Sequence, residues 1–222
     1  MAVNKEAYFN LLNEIKPSNV TLVAVSKTKP AEDIKELYNL GQKDFGENYV
    51  QELVEKQAQL PGDIHWHFIG HLQSNKVKYI APFVHLIHGV DNFNLLKEIN
   101  KQAAKHNRII DCLLQVHIAQ EETKFGFSEH ELYNTNWDEL HELKNVAVVG
   151  LMGMASFTDD MKKVRSEFKS LKYLYDKFEI RNSKFEILSM GMSADYKIAI
   201  EEGSNMIRVG SLLFGAREYN KN

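Results

Sequence analysis

The sequence predicts an α/β chain that closes into a (β/α)8 barrel of the TIM type, with one extra helix in front. Three observations carry this. Short β-branched runs alternate with longer amphipathic ones, the pattern of parallel strands joined by crossover helices. Eight such strand-then-helix units can be read in order. The 222 residues come close to the roughly 250 that such a barrel needs. An open doubly wound sheet is the runner-up, and the count of units favours closure.

The elements follow from local chemistry. MAVNKEAYFNLLNEIK is polar with helical periodicity and supplies the leading helix. TLVAVSK is the first strand and ends at Lys27. Pro30 opens the helix AEDIKELYNLG, where proline is tolerated near a helix start, and Gly41 closes it as a C-cap. DFGEN and HWHFIG are strands two and three, followed by helices over YVQELVEKQAQL and around SNKVKYIA. VHLIHGV and IIDCLLQVHI are strands four and five, with NFNLLKEINKQAAKHN between them. SEHELYNTNWDELHEL is the next helix, with Ser128 and Glu131 placed as a capping box. VAVVGLMGM, FEILSMG and MIRVGSLLFG are strands six to eight. The helices between them read DDMKKVRSEFKSLKYLYDKFE and SADYKIAIEEG.

Composition narrows the function classes. A chain this long buries roughly 70–75% of its unfolded surface, enough for a core without staples. Four prolines, no low-complexity tract and no linker predict one domain over residues 1–222. A net charge of −3 gives no general pull toward nucleic acid or anionic lipid. Lys76, Lys78, Lys162, Lys163 and Arg165 are mixed with acids or spaced on helices, so solvated faces explain them. No run reaches the roughly 18 apolar residues of a membrane helix, and the first residues lack a signal-peptide core; a cytoplasmic address is the expectation. Cys112 is the lone cysteine and reads as a core residue.

Barrel chemistry gathers where strands end and helices begin. Lys27 ends an otherwise apolar strand and shares side-chain parity with Val23 and Val25. It is either a snorkelling rim residue or a functional amine; a lysine in a dry pocket forms Schiff bases with carbonyl groups. Lys29 has the same parity but lies beyond the strand, and solvated charge is its expected role. MGMS at 190–193 and VGS at 209–211 are glycine- and serine-bearing turns after strands seven and eight. Loops there often hold phosphate through backbone N–H groups and a helix start. Gly191 and Gly210 permit close backbone approach, Ser193 and Ser211 add hydroxyls, and Arg208 adds a cation. Taken singly these are tight turns as readily as a site. Taken with Lys27 they describe a phosphorylated aldehyde held across the barrel mouth. His65 and His67 face one side of a strand at a spacing compatible with metal, but no matching carboxylate is evident, and no metal is expected. GMSAD lacks the second glycine of a hydrolase elbow, and neither a Walker loop nor GxGxxG occurs.

The segments VAVSKTKP, FGENYVQE, HWHFIGHLQSNK, GLMGM, LSMGMSADYKIAIEEGS and IRVGSLLFGARE occur in order and resemble those of the pyridoxal phosphate homeostasis proteins, also described as proline synthetase co-transcribed homologues. The resemblance runs from about Val23 onward, with 155–185 matching loosely. It implies an alanine racemase-like barrel with pyridoxal 5'-phosphate bound as a Schiff base on Lys27. It places Asn48 near the cofactor ring, puts the phosphate on Met192, Ser193, Gly210 and Ser211, and sets Arg208 near the ring or the phosphate.

Two functions then compete: a carrier that buffers pyridoxal phosphate and hands it to apoenzymes, and an amino-acid racemase. Related racemases carry a β-domain after the barrel that supplies a second acid/base and builds the dimer. The chain given ends at Asn222, seven residues past Gly215. Two-base racemisation needs groups on both faces of the reacting carbon. Lys27 serves one face, and only Tyr49 and His71 suggest themselves for the other. A carrier or regulator without efficient catalysis, and a monomer, are the expectations.

Overall fold

The structure is a computed structural model that describes residues 3–119, 125–135, 139–140, 142–179 and 185–215. Its centre is a closed barrel of parallel strands in sequential order: β1 (Thr21–Val25), β2 (Asp44–Glu47), β3 (His65–Phe68), β4 (Leu86–Val90), β5 (Ile110–Val116), β6 (Val146–Gly153), β7 (Ile187–Ser189) and β8 (Met206–Val209). Around it lie α1 (Lys5–Ile15), α2 (Ala31–Asn39), α3 (Val50–Gln57), α4 (Val77–Ile80), α5 (Phe93–Ala104), α6 (Glu129–Tyr133), α7 (Met161–Glu179), α8 (Tyr196–Glu201) and α9 (Ser211–Phe214). The predicted strand-helix alternation and the leading helix are therefore present, and the sheet is closed rather than open.

The helices form where their caps and faces dictate. Asn4 and Asn92 accept from the Ala7 and Leu95 N–H groups, and Ser128 with Glu131 forms the predicted capping box. Each such cap contributes about 1 kcal/mol. Gly41 adopts φ +105° just past α2, where an L side chain would be strained. Helix α7 turns Val164, Phe168, Leu171, Leu174 and Phe178 inward at steps of three and four, one continuous buried stripe. Burying each of these side chains contributes roughly 1.5–3 kcal/mol.

Two expectations need correction. The eighth apolar run is not one strand: β8 stops at Val209, and SLLF turns into α9. Gly210 breaks the run with φ −123° and ψ −66°, outside the strand region. The helix read over SEHELYNTNWDELHEL is not continuous: α6 ends at Tyr133, 134–135 are not helical and 139–140 are; residues 136–138 and 141 lie outside the described residues, as do 216–218 of the last motif.

Strand parity sorts the barrel interior. Val23, Leu86, Leu113, Met152 and Met206 form an inner apolar layer. Buried polar side chains share the interior with them: His67, His88, Gln115, Ser189 and Arg208. Closure pairs β1 with β8, setting Val23 opposite Arg208 and Ala24 opposite Val209. That register puts the end of the first strand beside the end of the last.

Candidate cofactor site

A cavity of about 760 Å³ opens where the strands end. This lies within the range of about 300–1,000 Å³ usual for small-molecule sites. Lys27, Asn48, Met192, Ser193, Arg208, Gly210 and Ser211, all singled out in the sequence, line it together. Lys29 lines it as well. Tyr49 is 60% exposed and His71 pairs with Asp91 at 3.0 Å; neither is among the residues that line the cavity.

Lys27 lies two residues beyond β1, on a loop held from beneath. Thr28 adopts φ +64°, a left-handed conformation costing an L residue roughly 1–2 kcal/mol. Its N–H donates to Glu52 Oε1 at 2.6 Å, and the Lys29 N–H donates to Ser26 O at 3.0 Å. Below the loop, the Lys56 ammonium donates to Ser26 O at 2.8 Å, Glu47 Oε1 at 2.7 Å and Glu52 Oε1 at 2.6 Å. Ser26 Oγ also donates to Glu47 Oε1, at 2.6 Å. The Glu47 side chain has no solvent exposure. Burial pushes its carboxyl up to about 7, against the pull of Lys56 and Ser26 and with a small push from Glu52. The backbone on both sides of Lys27 is thus tied to one buried ion cluster.

Arg208 is buried on β8 and braces the adjoining wall. It donates to Ser189 O at 3.0 Å, Ser189 Oγ at 2.7 Å and Gly153 O at 3.1 Å. A guanidinium carries five N–H donors, so capacity remains toward the cavity. Burial lowers its pKa to about 10, with Asp195 opposing the shift, and it stays cationic at neutral pH. The turn after β7 is shaped by Asp195, which accepts from the Met192 N–H at 2.6 Å. Burial raises the Asp195 carboxyl, while the Met192 N–H and Arg208 pull it down. Gly191 sits at φ +97°, and a Cβ there would come within 2.6 Å of Ala199 Cβ. Ser193 Oγ accepts from the Gly210 N–H at 3.3 Å, joining the two turns. At Gly210 a Cβ would meet Val25 O at 3.0 Å. Together these features make a cradle of main chain, hydroxyls and one buried cation, suited to an anion.

Asn48 Oδ1 is buried without a hydrogen-bond partner among the described residues. Leaving such an atom unpaired costs about 1–3 kcal/mol. A donor on a bound ring would remove that cost.

The chain matches the family described as alanine racemase, N-terminal domain, over residues 6–218. A pyridoxal phosphate homeostasis protein of Aquifex aeolicus is 45% identical over 200 residues, covering 89% of this chain and 87% of the relative. The chain belongs to the pyridoxal phosphate homeostasis protein family. The Escherichia coli K12 member of that family is 36% identical over 213 residues, covering 92% of this chain and 89% of the relative. Among solved structures, PipY of Synechococcus elongatus with pyridoxal phosphate bound superposes with a TM-score of 0.86 at 34% identity, covering 95% of this chain and 99% of that one. An alanine racemase of Clostridium difficile shares the fold, with a TM-score of 0.78 at 16% identity over 99% of this chain and 60% of that one.

In this pyridoxal phosphate homeostasis family member, the sequence reading reached Met154 at the end of β6 but missed residues 155–159 of the loop that follows. Met154, Ala155, Ser156, Phe157, Thr158 and Asp159 form one side of the cavity. Glu167 on α7 holds that loop, accepting from Ser156 N–H and Ser156 Oγ, both at 2.7 Å. The run ASFTDD following a strand was the available signal, since polar residues at a barrel strand tip belong to the functional face. Cys112 is buried, and burial raises its thiol well above the usual range, so it takes no part in the site. Arg165, read as a solvated cation, pairs with Glu201 and Glu202. Among the described residues no helix is long and apolar enough to cross a membrane.

Proposed function

We propose that this chain binds pyridoxal 5'-phosphate covalently through Lys27 and serves as a carrier that buffers the cofactor and releases it to apoenzymes. The observation that carries the reading is the meeting of Lys27, Arg208 and both glycine-serine turns on one cavity. The cofactor supplies an aldehyde that condenses with an amine, releasing water, and a phosphate that needs an anion cradle. Met192, Ser193, Gly210 and Ser211 are the residues for the phosphate, and Asn48 and Arg208 for the ring. The ion cluster under Ser26 and Thr28 fixes where the Lys27 amine is presented.

The carrier reading is favoured over a racemase because neither sequence candidate for a second acid/base lines the cavity. A monomer in the cytoplasm, delivering to pyridoxal phosphate-dependent apoenzymes, completes the proposal.

The test is borohydride reduction of the cofactor-loaded chain with fragment-ion sequencing. Lys29 precedes Pro30 and shares a peptide with Lys27, so the variants K27A and K29A are needed alongside. The expected result is a label on Lys27 and loss of the yellow adduct in K27A alone. An adduct that persists in K27A, or that is lost only in K29A, overturns the assignment. Robust Lys27-dependent turnover of amino acids would overturn the carrier role.

A further inference from the structure

The other end of the barrel gathers a second set of donor atoms. Asp44 opens β2, His65 and His67 lie on β3, and His85 immediately precedes β4. The β2–β3 register sets Asp44 beside His65, with Gly46 beside His67. One donor atom from each of Asp44, His67 and His85 lies within 4.8 Å of the other two. His67 Nε2 is 3.0 Å from Asp44 Oδ1. His65 flanks the group, its Nδ1 3.2 Å from the same oxygen and its ring stacked on His85 at 4.5 Å between centroids. The carboxylate that the HWHF spacing left unsupplied in the sequence is therefore Asp44, brought alongside by strand pairing.

We propose that Asp44, His67 and His85 form a binding site for a divalent d-block cation, best matched to Zn²⁺, at the barrel end opposite the cofactor cavity. Two imidazoles and a carboxylate are a usual zinc donor set, with bonds of about 2.0–2.2 Å and water completing a tetrahedron. Such bonds put the donor atoms roughly 3.4 Å apart. The Asp44–His67 pair is already that close, and His85, which is exposed, is the ring able to turn inward.

A second shell stands behind the site. His67 is 1% exposed, and its Nδ1 lies 2.9 Å from Nε2 of the fully buried His88. His88 Nδ1 lies 3.2 Å from Ser189 Oγ, which accepts from Arg208. With a cation on His67 Nε2, His67 Nδ1–H donates to His88, and His88 Nδ1–H donates to Ser189 Oγ. Outer partners of this kind fix the tautomer and orientation of a metal-binding imidazole. The cation ties the start of β2 and the middle of β3 to the residue before β4, so its role is to clamp the barrel floor.

The proposal is independent of the cofactor reading. The test uses the full chain, stripped with a chelator and titrated with Zn²⁺ against a chromophoric chelator, with Co²⁺ as a spectroscopic probe. The expected result is one Zn²⁺ per chain, tetrahedral Co²⁺ bands and a rise in Tm with added Zn²⁺. His85→Ala changes an exposed side chain and should fold; it weakens Zn²⁺ binding about tenfold or more and removes the Co²⁺ bands. Asp44→Asn acts in the same direction, and pyridoxal phosphate loading is unchanged in H85A. H71A, at the opposite barrel end, keeps full affinity. Equal Zn²⁺ affinity in wild type and H85A, or a loss in H71A as large as in H85A, overturns the site.

Discussion

Lys56→Met tests the idea that a buried ion cluster supports the loop of Lys27, the residue proposed to hold the cofactor. In the native chain Glu47 is sealed from solvent, and its carboxyl is raised from 4.5 to about 7. A raised carboxyl pKa means that the folded state binds the proton more tightly than the unfolded state. Stability from this group is therefore greatest below the unfolded pKa and declines as pH rises from 4.5 to about 7. A rise of that size corresponds to about 3 kcal/mol, as an order of magnitude. Methionine in place of Lys56 removes the opposing charge while keeping most of the apolar stem. Breaking a buried pair by deleting one partner costs about 3–5 kcal/mol, because the other charge is left uncompensated. At pH 8.5 we therefore expect K56M to lose about 3–5 kcal/mol in urea unfolding. At pH 5 Glu47 is protonated in the folded chain, and what remains is the loss of the Lys56 hydrogen bonds and of its part-exposed pair with Glu52, about 1–2 kcal/mol. The double variant E47Q/K56M should recover most of the loss at pH 8.5, since coupled neighbours are not additive. Equal losses at the two pH values, or a double variant no better than K56M, would refute the reasoning. The same variant loosens the Ser26–Thr28 backbone, so pyridoxal phosphate should dissociate faster from K56M than from wild type.

Two further outcomes follow from the β7–β8 wall. Gly191→Ala puts a Cβ at φ +97° and 2.6 Å from Ala199 Cβ; strain and overpacking should lower stability by roughly 2–4 kcal/mol, read by urea unfolding, and a Tm equal to wild type would contradict it. Arg208→Lys keeps the charge but loses the fork that grips Ser189 and Gly153; cofactor affinity measured by absorbance titration should fall about tenfold, and unchanged affinity would show that charge alone suffices.

The residues that line the cavity at the barrel mouth were legible because they stand at strand tips, one residue type at a time. Lys27 announced itself as a cation ending an apolar run, and two residues past the strand it lines the cavity together with Val25. The MGMS and VGS turns were legible through glycines whose backbone demands are local. The carriers of position were not legible. Lys56 reads as one of many helix-surface lysines, yet its side chain is 6% exposed and bonded three ways. Glu167 likewise reads as one acid in a polar helix, and its role comes from meeting Ser156. The Asp44–His67 contact was invisible for the same reason, since strand pairing joins residues 23 positions apart.

Alternation of β-branched and amphipathic runs, the caps Asn4, Asn92 and Ser128, and the glycine turns are short-range properties, set by side-chain size, backbone freedom and hydrogen bonding within a few residues. They determined the element order, the barrel and the residues that face its mouth. Which of those residues meet depended on the register of each strand pair and on closure of β8 against β1, because long-range contacts are decided by how whole faces pack. Only that packing set Arg208 opposite Val23 in the wall below Lys27, slid Lys56 beneath the lysine loop and brought Asp44 against His67.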